Sequence, residues 1–540
     1  MMKKAGNNSK SASPANNSGK TMASVVILAT LIGAFVRLFY VLQSDFPLND
    51  GGMFYTMIGD LQAAAYRLPA FTSYNHANIP YAYPPLPFYL GGVLNGWLHI
   101  DLIQLLRFWP LVFSVLSIPA FYWLTKLLLK TDVQRGAAVF LFALFSPVYT
   151  WQIMGGGLTR SPALFFTILA LGAFLSWVKD HKWSDFILLV LFTALTALCH
   201  LEMLWMLAIS YLVIFVVDQR TRKAFGELLM AAGATLLLTA PWWGTVIALH
   251  GLSPFIQALN SGAFNIWRTL ANLFFLAPTQ DLNQTVFQLL ALVGLFFAFR
   301  EGNWLLPAWW LALILFDPRS SQRSVTIPVA LLAGLTLEQW LSWVSQHFHW
   351  RKKVQAMQNN HTVDFSSGWI KLILAVFLFS IMLNDLIGFY SSGSLLRNLS
   401  KENREAMQWV KENTPVKSRF MVIDFPDGWH DDMVAEWFPT LSQRTSILTA
   451  QGQEWLPENA QLQTITALGE VSACQLNGLD CLSAWMNQNQ AQVNYVYFTL
   501  NTQSSANPLK YSSVMESQMA DDPGYQLAYS NADVKIYLRK

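Results

Sequence analysis

Tyr83–Leu98, YPPLPFYLGGVLNGWL, decides the topology of this chain. The run is apolar but a turn or two short of the ~20 residues a helix needs to cross a bilayer. Three prolines, Pro84, Pro85 and Pro87, open it. A segment of that length reads as an interfacial or re-entrant helix before it reads as a span. The charges beyond it force the choice. Between Thr21 and Tyr390 every lysine falls in a few short connectors: Lys126 and Lys130, Lys179 and Lys182, Lys223, Lys352 and Lys353, and Lys371. If Tyr83–Leu98 crossed, all of these would land outside, whereas positive charge in short loops marks the cytoplasmic side. The segment is therefore assigned to the outer surface.

Working outward from it, the first twenty residues lack any periodicity and read, as 1–21, as a disordered cytoplasmic tail. The apolar run 22–42 is too long for a signal-peptide core and has no small-residue cleavage site, so it reads as an uncleaved first span. A large outer loop, 43–104, follows and carries the interfacial segment. Further spans are expected at 105–126, 136–152, 160–178, 186–199, 203–217, 227–249, 284–299, 303–316, 324–344 and 369–390. The stretch 186–217 is divided at His200 into two helices, because one long helix would carry the later lysines outside. The expectation is thus a polytopic α-helical membrane protein with about 11 transmembrane helices over 22–390.

After Tyr390 the composition changes. Residues 391–540 are polar, with a helical ENREAMQWVKENTP ended by Pro415 and short strands at RFMVIDF, VNYVYFTL and VKIYLRK. They read as a C-terminal extracytoplasmic α/β domain, periplasmic or extracellular, on a protein of the plasma (inner) membrane. Cys474 and Cys481 in this region are either a disulfide, which an oxidising compartment permits, or two unpaired thiols. Cys199 lies within a span and reads as packing. Composition agrees: 53% hydrophobic and 12% charged residues is half the charge of an ordinary soluble domain. A net charge of +3 offers no footprint for nucleic acid.

The connectors on the outer side hold arginine instead of lysine: Arg67, Arg107, Arg160, Arg268, Arg319 and Arg323. Arginine gives planar, bidentate recognition of phosphate or carboxylate, which lysine does not. GGGLTRSPALFF sets Arg160 behind three glycines, and FDPRSSQRSVTIP sets Arg319 and Arg323 four apart beside Asp317. TALCHLEMLW puts His200 and Glu202 at an outer junction, where ionisable groups at membrane depth mark function by default. DFPLNDGGMFYTMIGDLQ places Asp50 just past the first span, as a general base, a metal ligand, or part of an Asn-Asp-Gly-Gly turn. Asp45 and Asp60 read as solvated, and snorkelling accounts equally well for an arginine flanking a span.

One reaction type uses such a set. If a sugar is bonded to a lipid phosphate, the leaving group needs fixed positive charge and the incoming hydroxyl needs a base. Arranged this way, the chain resembles the GT-C membrane glycosyltransferases, which include protein O-mannosyltransferases and lipid A aminoarabinose transferases. The likeness rests on Asp50, on Pro84, Pro85 and Leu86, on Arg107 opening a span, and on Ser146 and Pro147 ending one. It also rests on Arg319 and Arg323 and on the tail that begins MQWVKENTP. EWFPTLSQRTSILTAQGQEW, with Glu436, Trp437, Arg444 and Glu454, is similar to a tail segment of prokaryotic relatives that either faces the acceptor or packs the tail.

The resemblance implies an inverting transfer from a polyprenyl-phosphate sugar to a protein, lipid or glycan hydroxyl, with Asp50 as base or metal ligand. It implies substrate contacts at Tyr83, Arg107, Arg160, His200, Glu202, Arg319, Arg323 and Glu436. Tyr83 stands where the aminoarabinose enzymes have the lysine of Lys-Pro-Pro, so their specificity does not carry over. The first loop has no Asp-x-Asp, which speaks against a metal-dependent, oligosaccharyltransferase-like mechanism, and a divalent Mg or Mn stays open. The competing class is a lipid-linked-sugar transporter or a membrane sensor with an outer domain. A transporter would show paired, broken-helix halves and ionisable groups near the midplane. No such repeat is present here.

Overall fold

Each expected span falls on a helix in the computed structural model, which describes residues 14–218, 220–260, 267, 282–317, 320–348, 368–388, 396–424, 429, 432–474, 477–500 and 513–540. Among the described residues six helices are long and apolar enough to cross a membrane: Thr21–Leu42, Leu102–Leu128, Gly157–Asp180, Leu201–Asp218, Arg222–His250 and Thr326–Val344. Four more apolar helices are shorter: Trp183–Cys199, Thr285–Arg300, Leu305–Phe316 and Leu372–Gly388. Leu86–Leu98 is a 13-residue helix with Pro85 at its N-cap and Trp97 and Leu98 exposed at its end. Chain direction changes at His200, whose extended backbone (φ −160°, ψ 122°) separates Trp183–Cys199 from Leu201–Asp218.

Local chemistry sets the boundaries. Thr131 and Gln134 form a reciprocal capping box that starts Asp132–Leu144. Asp101 and Ser400 accept the amides of Gln104 and Asn403 at the starts of Leu102–Leu128 and Lys401–Asn413.

One expected span is cut short. The helix anticipated over 136–152 ends at Leu144, where Phe145 turns extended, and only the four-residue helix Ser146–Tyr149 follows. Pro147 has no N–H to give the Ala143 carbonyl four residues back. Arg37 supplies one instead. Fully buried in the first helix, its guanidinium donates to Ala143 O (2.7 Å), Gly33 O (2.9 Å) and Ser114 Oγ (2.9 Å) and lies over the Tyr149 ring.

Ion pairs gather at both ends of the bundle. At one end Lys130 pairs with Glu301 (3.0 Å), and Lys223 and His181 reach Glu227 (3.8 and 3.9 Å). At the other, Arg160 pairs with Asp50 and Arg323 with Glu202. Among the described residues, the Lys130–Glu301 and Lys223–Glu227 pairs thus lie at one end and the Arg160–Asp50 and Arg323–Glu202 pairs at the other.

The tail is a three-layer unit. A short antiparallel pair, β1 (Phe71–Thr72) with β2 (Ile79–Pro80), belongs to the outer loop. The tail sheet has the order β4-β3-β5-β7-β6, built from β3 (Arg419–Ile423), β4 (Thr445–Ser446), β5 (Tyr495–Thr499), β6 (Tyr525–Ser530) and β7 (Val534–Arg539). β3 runs parallel to β4 and β5, while β7 is antiparallel to β5 and β6.

Alternate residues of a strand face opposite sides, so the sheet serves two cores. Met421, Ile423, Val496, Phe498 and Tyr537 pack on Val471, Leu482, Met486 and Met515 from the outer helices. Phe420, Val422, Tyr497, Val534 and Ile536 share a core with Ala406, Met407, Trp437 and Phe438 of the tail. That same core includes Phe46, Met53, Phe54, Tyr74 and Phe88 of the first outer loop. Loop and tail are therefore packed as one body. Cys474 and Cys481 are joined to each other, with Cα atoms 5.4 Å apart.

Candidate active site

Asp50 sits at the N-terminus of a long helix. The Gly155 amide donates to Leu48 O (2.9 Å) and the Gly156 amide to Asp50 Oδ1 (2.7 Å). Arg160 Nη2, one turn into Gly157–Asp180, donates to Asp50 Oδ2 at 2.6 Å. The Gly156 amide and the positive end of the helix dipole make this a natural seat for an anion. The sequence builds the seat with glycines because nothing larger fits: a Cβ on Gly156 would strike both the Asp50 carboxylate and the Arg160 guanidinium. Gly51 adds the other requirement, a φ of +126° that side chains rarely adopt. The Asp50 side chain keeps about a quarter of its surface exposed (26%), whereas Arg160 keeps 6%.

Behind Asp50 lies a second basic group. Arg160 and Arg323 both lie against the Trp151 indole, at 4.3 and 4.6 Å from its centre. Arg323 pairs with Glu202 at 3.0 Å and donates to Ser320 Oγ at 2.8 Å. Asp317 takes a hydrogen bond from the Ser324 hydroxyl, and burial together with nearby Glu202 pushes its carboxyl up to about 7. Arg160 Nε is buried with no hydrogen-bond partner among the described residues.

The tail closes the site from outside. Glu436, on the helix Met433–Ser442, accepts the Gly51 amide at 2.8 Å and is almost wholly buried. Burial first, and the neighbouring Asp50 charge second, push its carboxyl up to about 8. Trp437 Nε1 donates to Asn49 O (2.9 Å), Thr440 Oγ1 to Gly52 O (2.7 Å), and the Tyr74 hydroxyl to Glu436 O (2.6 Å). Tyr83 stands over this floor, its ring centre 5.0 Å from Phe54, 5.7 Å from Trp455 and 6.0 Å from His200.

No protein-family model matches the chain, and no curated protein sequence matches it. Solved structures do match its shape. The archaeal oligosaccharyltransferase AglB from Archaeoglobus fulgidus, in complex with an inhibitory peptide and a dolichol-phosphate, superposes with a TM-score of 0.57 at 14% identity. That alignment covers 96% of this chain and 74% of AglB. ArnT from Cupriavidus metallidurans in the apo state gives 0.55 at 12% identity, over 97% of this chain and 98% of ArnT. The arabinofuranosyltransferase AftD from Mycobacteria gives 0.51 at 15% identity, over 96% of this chain and 40% of AftD. The chain has the fold of the GT-C membrane glycosyltransferases.

Within this GT-C fold, seven of the residues singled out in the sequence come together: Asp50, Tyr83, Arg160, His200, Glu202, Arg323 and Glu436. Arg107 is engaged elsewhere. Its guanidinium donates to the Val41 and Ser44 carbonyls and to Gln104, tying Leu102–Leu128 to the exit of the first helix. Arg319 lies outside the described residues. Asp45 pairs with Arg404, Asp60 holds Thr72 and Ser73, and Arg444 is spent on tail carbonyls.

Two residues escaped the sequence reading: Trp151, which lies against both Arg160 and Arg323, and Arg37, hidden in an apolar run. Among the described residues no three His, Cys, Asp or Glu side chains converge to hold a metal. Asp50's two oxygens accept from an amide and a guanidinium.

Proposed function

We propose that this chain is an inverting glycosyltransferase that moves a sugar from a polyprenyl phosphate to an acceptor hydroxyl. The reaction lies at the outer face of the plasma (inner) membrane, with the N-terminus cytoplasmic and the α/β tail outside. The observation that carries the reading is the pairing of Asp50 with Arg160, whose neighbour across Trp151 is Arg323. A carboxylate and two arginines at one site are what transfer from a lipid phosphate demands.

In this reading the donor phosphate enters beside Arg160 and uses its unpartnered Nε–H. Arg160 then shares its charge between phosphate and Asp50, and an Asp50 oxygen is released to accept the acceptor's proton. The acceptor oxygen bonds to the anomeric carbon, the carbon–phosphate oxygen bond breaks, and the lipid phosphate leaves with its electron pair. Fixed guanidinium groups stabilise that departing charge without reorganising. Tyr83, Trp455 and Phe54 provide apolar faces for a sugar ring beside them. Support for a lipid-linked donor also comes from the dolichol-phosphate held by AglB and the undecaprenyl phosphate held by ArnT.

The test uses purified wild type and Asp50→Asn with radiolabelled polyprenyl-phosphate sugars, envelope extract as acceptor, and divalent metal or EDTA in parallel. Release of polyprenyl phosphate should fall by ~10²–10⁴ in the variant, the range for loss of a general base. Equal release by both moves the base elsewhere. Binding of lipid-linked sugar without release by the wild type overturns the reading in favour of a transporter.

A further inference from the structure

We propose that Glu436 is a positioning residue for Asp50: its carboxyl, carried by the tail, holds the Asn49–Gly52 turn from behind. The inference deepens the transferase reading and rests on it for its kinetic consequence. Glu436 Oε1 accepts the Gly51 amide, the peptide immediately after Asp50, so moving that oxygen moves the base. The approach is tight, since a Cβ on Gly52 would meet the Glu436 carbonyl at 2.8 Å. Three further bonds fix the helix that carries Glu436: Trp437 to Asn49, Thr440 to Gly52 and Tyr74 to Glu436 itself.

The charged and titratable groups facing Glu436 are Asp50 from the loop, Arg160 from Gly157–Asp180, and the Tyr74 hydroxyl from the outer loop. Glu454 and Asp432 stand behind Tyr74, and Asp432 also caps its own helix at Ala435. The Gly52–Ala63 helix contributes neutral Thr56 to this contact, and Lys401–Asn413 buries Ala406, Met407 and Val410. Burial first, and repulsion from Asp50 second, thus outweigh the Gly51 and Gly52 amides and the Arg160 guanidinium, and push the carboxyl up to about 8. Two carboxylates both ionised here would compete for Arg160, the group the donor phosphate needs.

A free Glu ionises near 4.5, whereas in the fold burial pushes the Glu436 carboxyl up to about 8. Its contribution to stability is therefore complete below the lower value and lost as pH rises through the upper one.

Glu436→Gln and Glu436→Ala in the full-length protein test this. Thermal unfolding in detergent needs no substrate: Glu436→Gln should match wild type at pH 5 and become the more stable of the two by pH 9. In turnover at pH 7, Glu436→Gln keeps an oxygen for Gly51 and should stay within about threefold of wild type while losing the alkaline fall above pH 8. Glu436→Ala should lose about tenfold or more in kcat with donor KM little changed, the signature of a misplaced base. A stability difference that stays flat with pH, or Glu436→Gln as impaired as Glu436→Ala in a folded protein, overturns the proposal. Failure of wild type to release lipid phosphate would sink the transferase reading, and the unfolding comparison would still decide the charge state of Glu436.

Discussion

In the proposed reaction Arg160 has two anions to serve, Asp50 at rest and the donor phosphate in turnover, and that competition makes it the most sensitive side chain of the site. Its donor geometry matters as well as its charge, because Nη2 is committed to Asp50 and Nε is open. Arg160→Ala should lower transfer by ~10²–10³, as for removal of a transition-state donor. Arg160→Lys keeps the charge but not the fork, and should recover only part of that loss. Rate measurements on both variants at saturating donor separate the two effects. Equal rates for the two would mean that charge plays no part. Gly156→Ala places a methyl where Asp50 and Arg160 meet. It should abolish turnover at modest cost in melting temperature, whereas retained activity would show that the pair opens freely.

Asp50, Arg160 and Arg323 were visible in the sequence because ionisable groups at membrane depth are few. Which partner each would find was not. Arg107 looked equivalent to Arg160, yet it serves backbone carbonyls at the exit of the first helix.

Elements bring these residues together through their ends rather than their middles. Leu102–Leu128 and Gly157–Asp180 are legible as apolar runs of the right length. The break after Leu144 was harder to read, because Phe145, Val148, Tyr149 and Trp151 carry the apolar pattern past it. Ser146–Pro147 marked the place, and Arg37 on another helix supplies the donor that Pro147 lacks.

The docking of Met433–Ser442 on the outer loop depends on Trp437, fully buried with its indole N–H on Asn49 O and its ring 4.6 Å from Phe46. Trp437→Ala should cost ~3–5 kcal/mol, the range for a large core truncation. It should also make the tail sensitive to protease at concentrations that spare the wild type. Unchanged proteolysis would mean the helix is held by its other contacts alone. β4 and β6 went unread: β4 spans two residues, and β6 is an edge strand exposed at Gln526, Leu527 and Ala528, so neither shows an alternating pattern.

For the whole molecule, the sheet face made of Phe420, Val422 and Tyr497 and the outer loop's Phe46, Met53 and Phe54 form one core. The tail is therefore a wall of the site and not an appended module. Cleavage at a protease site engineered between Gly388 and Leu396 should leave the tail bound through gel filtration in mild detergent, with release only in denaturant. Free separation after cleavage would show the interface to be weak.

What the sequence determined by itself was the set of apolar spans, the absence of lysine from alternate connectors, and the α/β character of the tail. Span length and charge placement answer to the bilayer, which acts on each segment separately, so each segment carries its own signal. Only the tertiary structure decided that Glu436 would stand beside Asp50, 386 positions away, and that Trp151 would join two arginines. Those contacts arise from packing between segments, and no single stretch of sequence records them.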